Sequence, residues 1–310
     1  MRKEYTGLLE TIDNVCVKGD YFYSDYLSVQ LKKKCTLKFI NEIINKSKKT
    51  TSEAIIILLA AIRYLQKDIY ALTKIEKTDS FEFFINEHYE QIMEISIKKK
   101  VQGNIPERGL PISEILSKKL PGASIGLIEL GASYGMIGSY LINPKPILEN
   151  KDKYFHSSQQ MPKNPKNIDY YLGIDIDPPE KEWLIACIFN PEDAKRVKHY
   201  IRNIQLGNNF KLMKASALGF SAIKEVKDIA VKDYTIVVLT SFMLYQLNEE
   251  QQKQLKDEII EFTHNFNGHW INQDVELSNS KSGPEYFIEW NGERIVKLQD
   301  DKCCDWNWLN

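Results

Sequence analysis

The chain lacks most of the features that mark a specialised protein by composition alone. Its five cysteines are scattered over 310 residues without a C-x-x-C pair, so no zinc or dithiol redox motif is present. The adjacent Cys303 and Cys304 suit neither an ordinary mutual disulfide nor a chelate. No apolar run reaches the length of a membrane span, and the opening MRKEYTGLLETIDN has acidic residues where a signal peptide needs an apolar core. A cytoplasmic protein with reduced thiols, no metal and no membrane partner is expected. Excess charge of one sign is missing too: the formal net charge is -1, which gives no global field to attract a polyanion. Two local basic runs, Lys32-Lys33-Lys34 and Lys98-Lys99-Lys100, read as solvated helix ends. No basic face interleaved with aromatics marks a nucleic-acid partner. Internal repeats are absent, and nothing marks an oligomeric state.

What is present suits a globular protein. Hydrophobic residues make up 43% and charged residues 27%, near the averages for folded domains, and the length allows a sizeable core without covalent staples. From Thr36 to about Lys99 apolar residues recur at helical spacing, as in Leu37, Ile40, Ile43 and Ile44. The segment SEAIIILLAAIRYLQK is apolar almost all round, with Ser52 and Glu53 at its start, and reads as the most buried helix of that group. Residues 101–122 mix glycine and proline around one short helical patch, so the boundary is set near residue 120, with a helical N-terminal domain or lid over 1–120 and an α/β domain over 121–310.

The second part alternates strand and helix. Strands are predicted at SIGLIEL, YYLGIDI, FKLMKASAL, YTIVVLTSF and HWINQDVEL, the fourth being β-branched and fit for the centre of a parallel sheet. Helices are predicted at MIGSYLI, WLIACIFN, DAKRVKHYIRNIQL, FSAIKEVKDI and NEEQQKQLKDEIIEFTHNF, the last with Asn248 as N-cap and Gly268 as its stop. Asn291-Gly292 signals a hairpin that adds antiparallel strands at the sheet edge. A polar stretch of about 143–169 is longer than a minimal crossover needs and reads as an insertion near the site.

The chemistry concentrates at strand ends. In GLIELGASYGMIG, Glu129 closes a strand, Gly131 and Gly135 bracket a turn through Ala132, Ser133 and Tyr134, and a helix follows. Glycine there admits backbone conformations closed to other residues and clears room for a ligand, while the helix start offers N–H groups to an anion. A dinucleotide site wants G-x-G-x-x-G, whereas this turn is G-x-x-x-G with an acid two positions ahead. That spacing disfavours a nicotinamide dehydrogenase and favours a methyltransferase; it also suits a purely structural turn.

The next strand ends at Asp175, followed by Ile176, where a carboxylate can accept both ribose hydroxyls. Asp177 shares that work or caps the following helix. The interval from Gly131 to Asp175 is about twice the usual ~20 residues. After the third strand, Ser216 and Ala217 stand where an adenine contact would fall, or where Ser216 is an ordinary cap. Thr240, Ser241 and Tyr245 follow the fourth strand, and Asp274 ends the fifth. His156, His199, His264 and His269 have no partner pattern, so no general base is named.

Several ordered motifs together resemble a family of mainly bacterial proteins without a defined reaction, whose fold belongs with the class I S-adenosylmethionine-dependent methyltransferases. VQGNIPER is similar to the family's V-Q-T-N-E-x-x-R at Val101, Gln102, Asn104 and Arg108, with Gly103 and Ile105 departing. ELGASYG is similar to its E-x-G-A-S-x-G turn, and Ser133 stands where class I methyltransferases carry a middle glycine. GIDIDPPEKEWLIACIFNP is similar at Gly173, Asp175, Pro178, Trp183, Leu184, Ala186, Cys187 and Pro191, with Phe189 in place of a tryptophan.

The resemblance implies a Rossmann-like, class I methyltransferase-like α/β fold with a mostly parallel sheet. It implies S-adenosylmethionine as cofactor, bound by Glu129, Gly131, Ala132, Ser133, Gly135, Asp175, Ile176, Ser216 and Ala217. Asn104, Arg108, Tyr134, Thr240 and Tyr245 are further candidates for cofactor or a small-molecule acceptor. Arg108 suits a bidentate carboxylate clamp or, equally, a salt bridge between the two parts. The alternative function is a methyltransferase-like binding or scaffold protein that performs no transfer.

Overall fold

The computed structural model describes residues 6–18, 24–68, 80–103, 105–149, 151, 160–203, 206–276, 284–300, 303 and 305–309. Helices come first: α1 (Thr6–Lys18), α2 (Ser24–Leu31), α3 (Lys34–Ser47), α4 (Thr51–Gln66), α5 (Ser80–Glu87), α6 (Tyr89–Lys98) and α7 (Gly109–Lys119). Then follow β1 (Ile125–Leu130), α8 (Met136–Ile142), α9 (Pro144–Glu149), β2 (Tyr170–Asp175), α10 (Lys181–Ala186), α11 (Pro191–Asn203) and β3 (Phe210–Lys214). The rest runs α12 (Lys224–Ala230), β4 (Thr235–Ser241), α13 (Glu249–Asn265), β5 (His269–Glu276), β6 (Glu285–Trp290), β7 (Glu293–Leu298) and β8 (Trp306–Trp308).

The chain divides into two compact units, one of Met1–Gly103 with Glu180–Lys198 and the other of Asn104–Pro179 with His199–Asn310. The first is helical. Its centre is α4, where Ala54, Ile55, Ile57 to Ile62 and Arg63 are buried. The helix is fixed at its start by a capping box in which Thr50 accepts from the Glu53 N–H and Glu53 accepts from the Thr50 N–H, two residues ahead of the predicted Ser52. On α3 the buried set Thr36, Leu37, Phe39, Ile40 and Ile43 follows the helical period read from the sequence. Members of both basic runs are ion-paired, Lys98 to Glu94 one helical turn back, and Lys32 and Lys99 to Asp13 and Glu180 elsewhere in the helical unit.

The second unit is α/β, with one eight-stranded sheet in the order β3-β2-β1-β4-β5-β6-β7-β8. The pairings from β3 through β5 are parallel, and those from β5 through β8 antiparallel. The β-branched β4 is buried at every position but its first and is flanked on both sides by parallel partners, as is the wholly buried β1 beside it. The Asn248 cap of α13 is present and forms a box with Gln251. Asn291 and Gly292 both take positive φ, 51° and 85°, as a tight hairpin turn requires, and β6 and β7 follow from it.

The division differs from the boundary expected near residue 120. Helix α7 belongs to the sheet unit because its residues bond there: Ser113 Oγ accepts the Lys166 N–H at 2.9 Å, and Glu114 Oε2 accepts the Lys163 N–H at 2.8 Å. Gly109 makes room for this, since a Cβ there would stand 2.6 Å from the Tyr140 ring on α8. Conversely, α10 joins the helical unit, where Trp183 is 1% exposed and its Nε1–H donates to the Lys100 carbonyl at 2.8 Å. The described part of the 143–169 insertion lies against α7, and Gln160 Oε1 accepts the Trp306 N–H of β8 at 2.9 Å. FSAIKEVKDI splits into a 3-10 turn, Phe220–Ala222, and the helix α12.

Candidate functional site

The parallel strands end together, and the strand order reverses between β1 and β4, the place where open α/β sheets bind ligands beyond their carboxyl ends. The loop after β1 is pulled onto the end of β2: the N–H groups of Gly131 and Ala132 both donate to the Ile174 carbonyl, at 2.9 and 3.1 Å. Gly131 and Gly135 hold φ of 72° and 71°, a left-handed conformation that costs other residues a steric penalty. Ser133 holds φ 50° without being glycine, a strain of about 1–2 kcal/mol. Its N–H donates to Asp175 Oδ2 at 2.7 Å, a charge-assisted bond that offsets the strain. Beyond the loop, Gly138 lets α8 lie on the Tyr171 ring, which a Cβ would meet at 1.9 Å. That helix is only seven residues long.

Asp175 is half-buried, and its other oxygen accepts the Asp177 N–H at 2.9 Å. Asp177 turns its carboxylate outward to Lys214 at 2.8 Å, both side chains 70% exposed. Of the two acids, Asp175 is therefore the one joined to the glycine loop. Glu129 sits deeper than a rim position: it is wholly buried and accepts the Tyr171 hydroxyl at 2.6 Å. Burial first, and then the Glu129 charge, push that hydroxyl well above its usual range, so it stays a donor.

The remaining candidates fall into distinct places. Ile176 and Ser216 are exposed, and Ser216 Oγ accepts the Leu218 N–H at 3.1 Å in a local turn ahead of the 3-10 turn at Phe220, which Gly219 rather than Ser216 precedes as cap. Ala217 and Tyr134 are half-buried, and Tyr245 is exposed on a 3-10 turn, Leu244–Gln246. Thr240 does not reach the rim: it is fully buried, donates to Asn272 Oδ1 at 2.9 Å and accepts from Trp270 Nε1 at 3.1 Å. Asn104 lies outside the described residues. Arg108 is buried in the sheet unit with its guanidinium 4.2 Å from the centroid of the Phe242 ring, and its carbonyl accepts from Gln273 Nε2 at 3.2 Å.

Two features go beyond the sequence reading, the backbone of Phe242 and the burial of Asp274. Phe242 holds φ 50°, and its N–H donates to the Gln273 carbonyl at 2.7 Å, which turns Met243 onto Gly131. A bulky residue at positive φ carries no local signal. Asp274, 4% exposed at the end of β5, has its carboxyl pushed up to about 6 by burial, against the hydrogen bonds from the Val275 and Tyr245 N–H groups. Among the described residues no group of three His, Cys, Asp or Glu is placed to hold a metal ion, and no helix is long and apolar enough to cross a membrane.

Neither a family model nor a curated protein matches the chain. The family resemblance thus rests on its motifs. Among solved structures, the chain is similar to LepI in complex with SAM, at 10% identity and a TM-score of 0.31, over 83% of this chain and 56% of that one. The chain thus spans little more than half the length of that protein.

Proposed function

We propose that the carboxyl edge of the sheet is an S-adenosylmethionine site in a Rossmann-like, class I methyltransferase-like fold, and that the chain transfers a methyl group to a small-molecule acceptor. The observation that carries the reading is the Ser133 N–H to Asp175 bond of 2.7 Å, which couples the glycine loop to the one acid suited to a ribose. The donor set fits. Asp175 accepts two backbone N–H groups, and a carboxylate offers about four acceptor positions, so two remain for the ribose hydroxyls. Ser216 keeps its own O–H for the adenine edge while accepting from Leu218. Arg108, whose guanidinium lies over the Phe242 ring, is the candidate to meet a carboxylate of the cofactor or the acceptor. When bound, the sulfonium supplies an electrophilic methyl carbon, to which the acceptor's lone pair bonds as the carbon–sulfur bond breaks. Positioning is then the protein's main contribution.

A binding protein without transfer is the second reading, favoured by Met243, whose Sδ lies 2.9 Å from where a Cβ on Gly131 would be, so this side chain fills part of the room the glycine leaves. Calorimetric titration with S-adenosylmethionine and S-adenosylhomocysteine tests both. Saturable binding that is lost in Asp175→Ala supports the site, and methyl transfer in an acceptor screen then separates the two readings. No heat from either ligand in folded protein contradicts both.

A further inference from the structure

The helical unit contains a charge that its apolar core does not explain. Arg63 lies near the end of α4, 2% exposed, on the helix whose other buried residues are aliphatic. Buried guanidinium groups are normally paired, because removing the charge from water is costly. Here Nη1 donates to the carbonyl of Ala186 at 3.1 Å and to that of Ile188, while Nε and Nη2 have no hydrogen-bond partner among the described residues. The unmatched pair is chemically specific. Nε and Nη2 share one edge of the guanidinium plane, and their N–H bonds run parallel along it, the fork that takes a carboxylate side-on through two bonds.

Among the described residues, the groups facing Arg63 supply little to neutralise it. Cys187 is 6% exposed, and burial pushes its thiol up to about 12, so it stays protonated and neutral. Asp68, beyond the end of α4, contributes a charge attraction smaller than the burial effect, and burial lowers the guanidinium to about 10, which still leaves it cationic at neutral pH. The Phe189 ring centroid is 5.7 Å from Cζ. Two stretches singled out by the sequence motifs converge here: the Gln102 N–H donates to Cys187, and Trp183 Nε1–H holds the Lys100 carbonyl at 2.8 Å. The methyl-transfer reading uses none of these residues.

We propose that Arg63 anchors a binding site for a carboxylate-bearing small molecule inside the helical unit. Nε and Nη2 grip the carboxylate side-on while the Ala186 and Ile188 carbonyls hold Nη1 and fix the plane. The site is independent of the sheet edge, and Asp175→Ala leaves it unchanged. The test uses the full chain labelled with nitrogen-15. The Arg63 Nε–H resonance is assigned by its loss in Arg63→Lys, which keeps the charge and removes the fork. Acetate, malonate and citrate are then titrated at constant ionic strength against chloride. The expected result is a saturable shift of that resonance with at least one carboxylate, and a rise in Tm of about 5 °C at a hundredfold excess over Kd. Arg63→Lys should bind at least tenfold more weakly. A resonance that none of the three carboxylates moves, or equal binding by the Lys variant, overturns the proposal.

Discussion

In the sheet unit Glu129 is wholly buried and meets the Tyr171 hydroxyl at 2.6 Å, whereas in the helical unit Arg63, 2% exposed, meets carbonyls through only one of its three nitrogens. The acid is met by a neighbour on the adjacent strand and so belongs to the sheet's own architecture. The base is held through Nη1 alone, and among the described residues Nε and Nη2, one whole edge of its guanidinium, have no hydrogen-bond partner. The same contrast runs through the packing. The sheet unit depends on point contacts where glycine lets a ring or strand approach, while the helical unit spreads its burial along α4 and its neighbours.

Substitutions in each unit sharpen that contrast, and the largest effect belongs to the sheet unit. Gly138→Ala would drive a methyl group into the Tyr171 ring, now 1.9 Å from the Cβ position, and should cost about 3 kcal/mol or more in urea unfolding. A loss below 1 kcal/mol would show that this contact yields freely and would weaken the contrast. Next is Asp274. Its carboxyl sits near 6 when folded against 3.8 when unfolded, so the native state holds the proton more tightly between those values. Stability from this group is therefore present below about pH 4 and is lost as pH rises through 6. Asp274→Asn should be more stable than the wild type by about 3 kcal/mol at pH 8, with the difference vanishing near pH 4. A difference independent of pH contradicts the assignment. The smallest effect belongs to the helical unit: Thr50→Ala removes one cap from α4 and should cost about 1 kcal/mol, read as faster amide exchange in the first turn of that helix.

Most of the α/β half was legible because its signals are local. The strands β1 to β5 follow from short apolar or β-branched runs, and the Asn248 cap and the Asn291-Gly292 turn follow from side-chain chemistry. The glycine loop and Asp175 were legible as a pattern, and their bond was not, since nothing in a linear spacing shows that Ser133 turns its N–H to a carboxylate 42 residues away. The unit boundary was illegible for a similar reason: α7 and α10 change sides through long-range contacts, the Gly109 approach to Tyr140 and the Trp183 bond to Lys100. Thr240 resembled a rim residue only by its place after a strand. The alternation of β4 turns it into the polar ladder with Trp270 and Asn272. Arg63 stood out least, a single cation in an apolar helix whose carbonyl partners lie more than a hundred residues further on.

The most direct test of the account is an amide-resonance titration of the full chain with S-adenosylhomocysteine. The loop and acid geometry predicts saturable shifts concentrated at Gly131, Ala132, Ser133, Gly135 and Asp177, with the same saturation curve at each and no such shifts in Asp175→Ala. Shifts confined to another part of the chain, or none in the folded protein, would contradict the assignment of this sheet edge as the cofactor site.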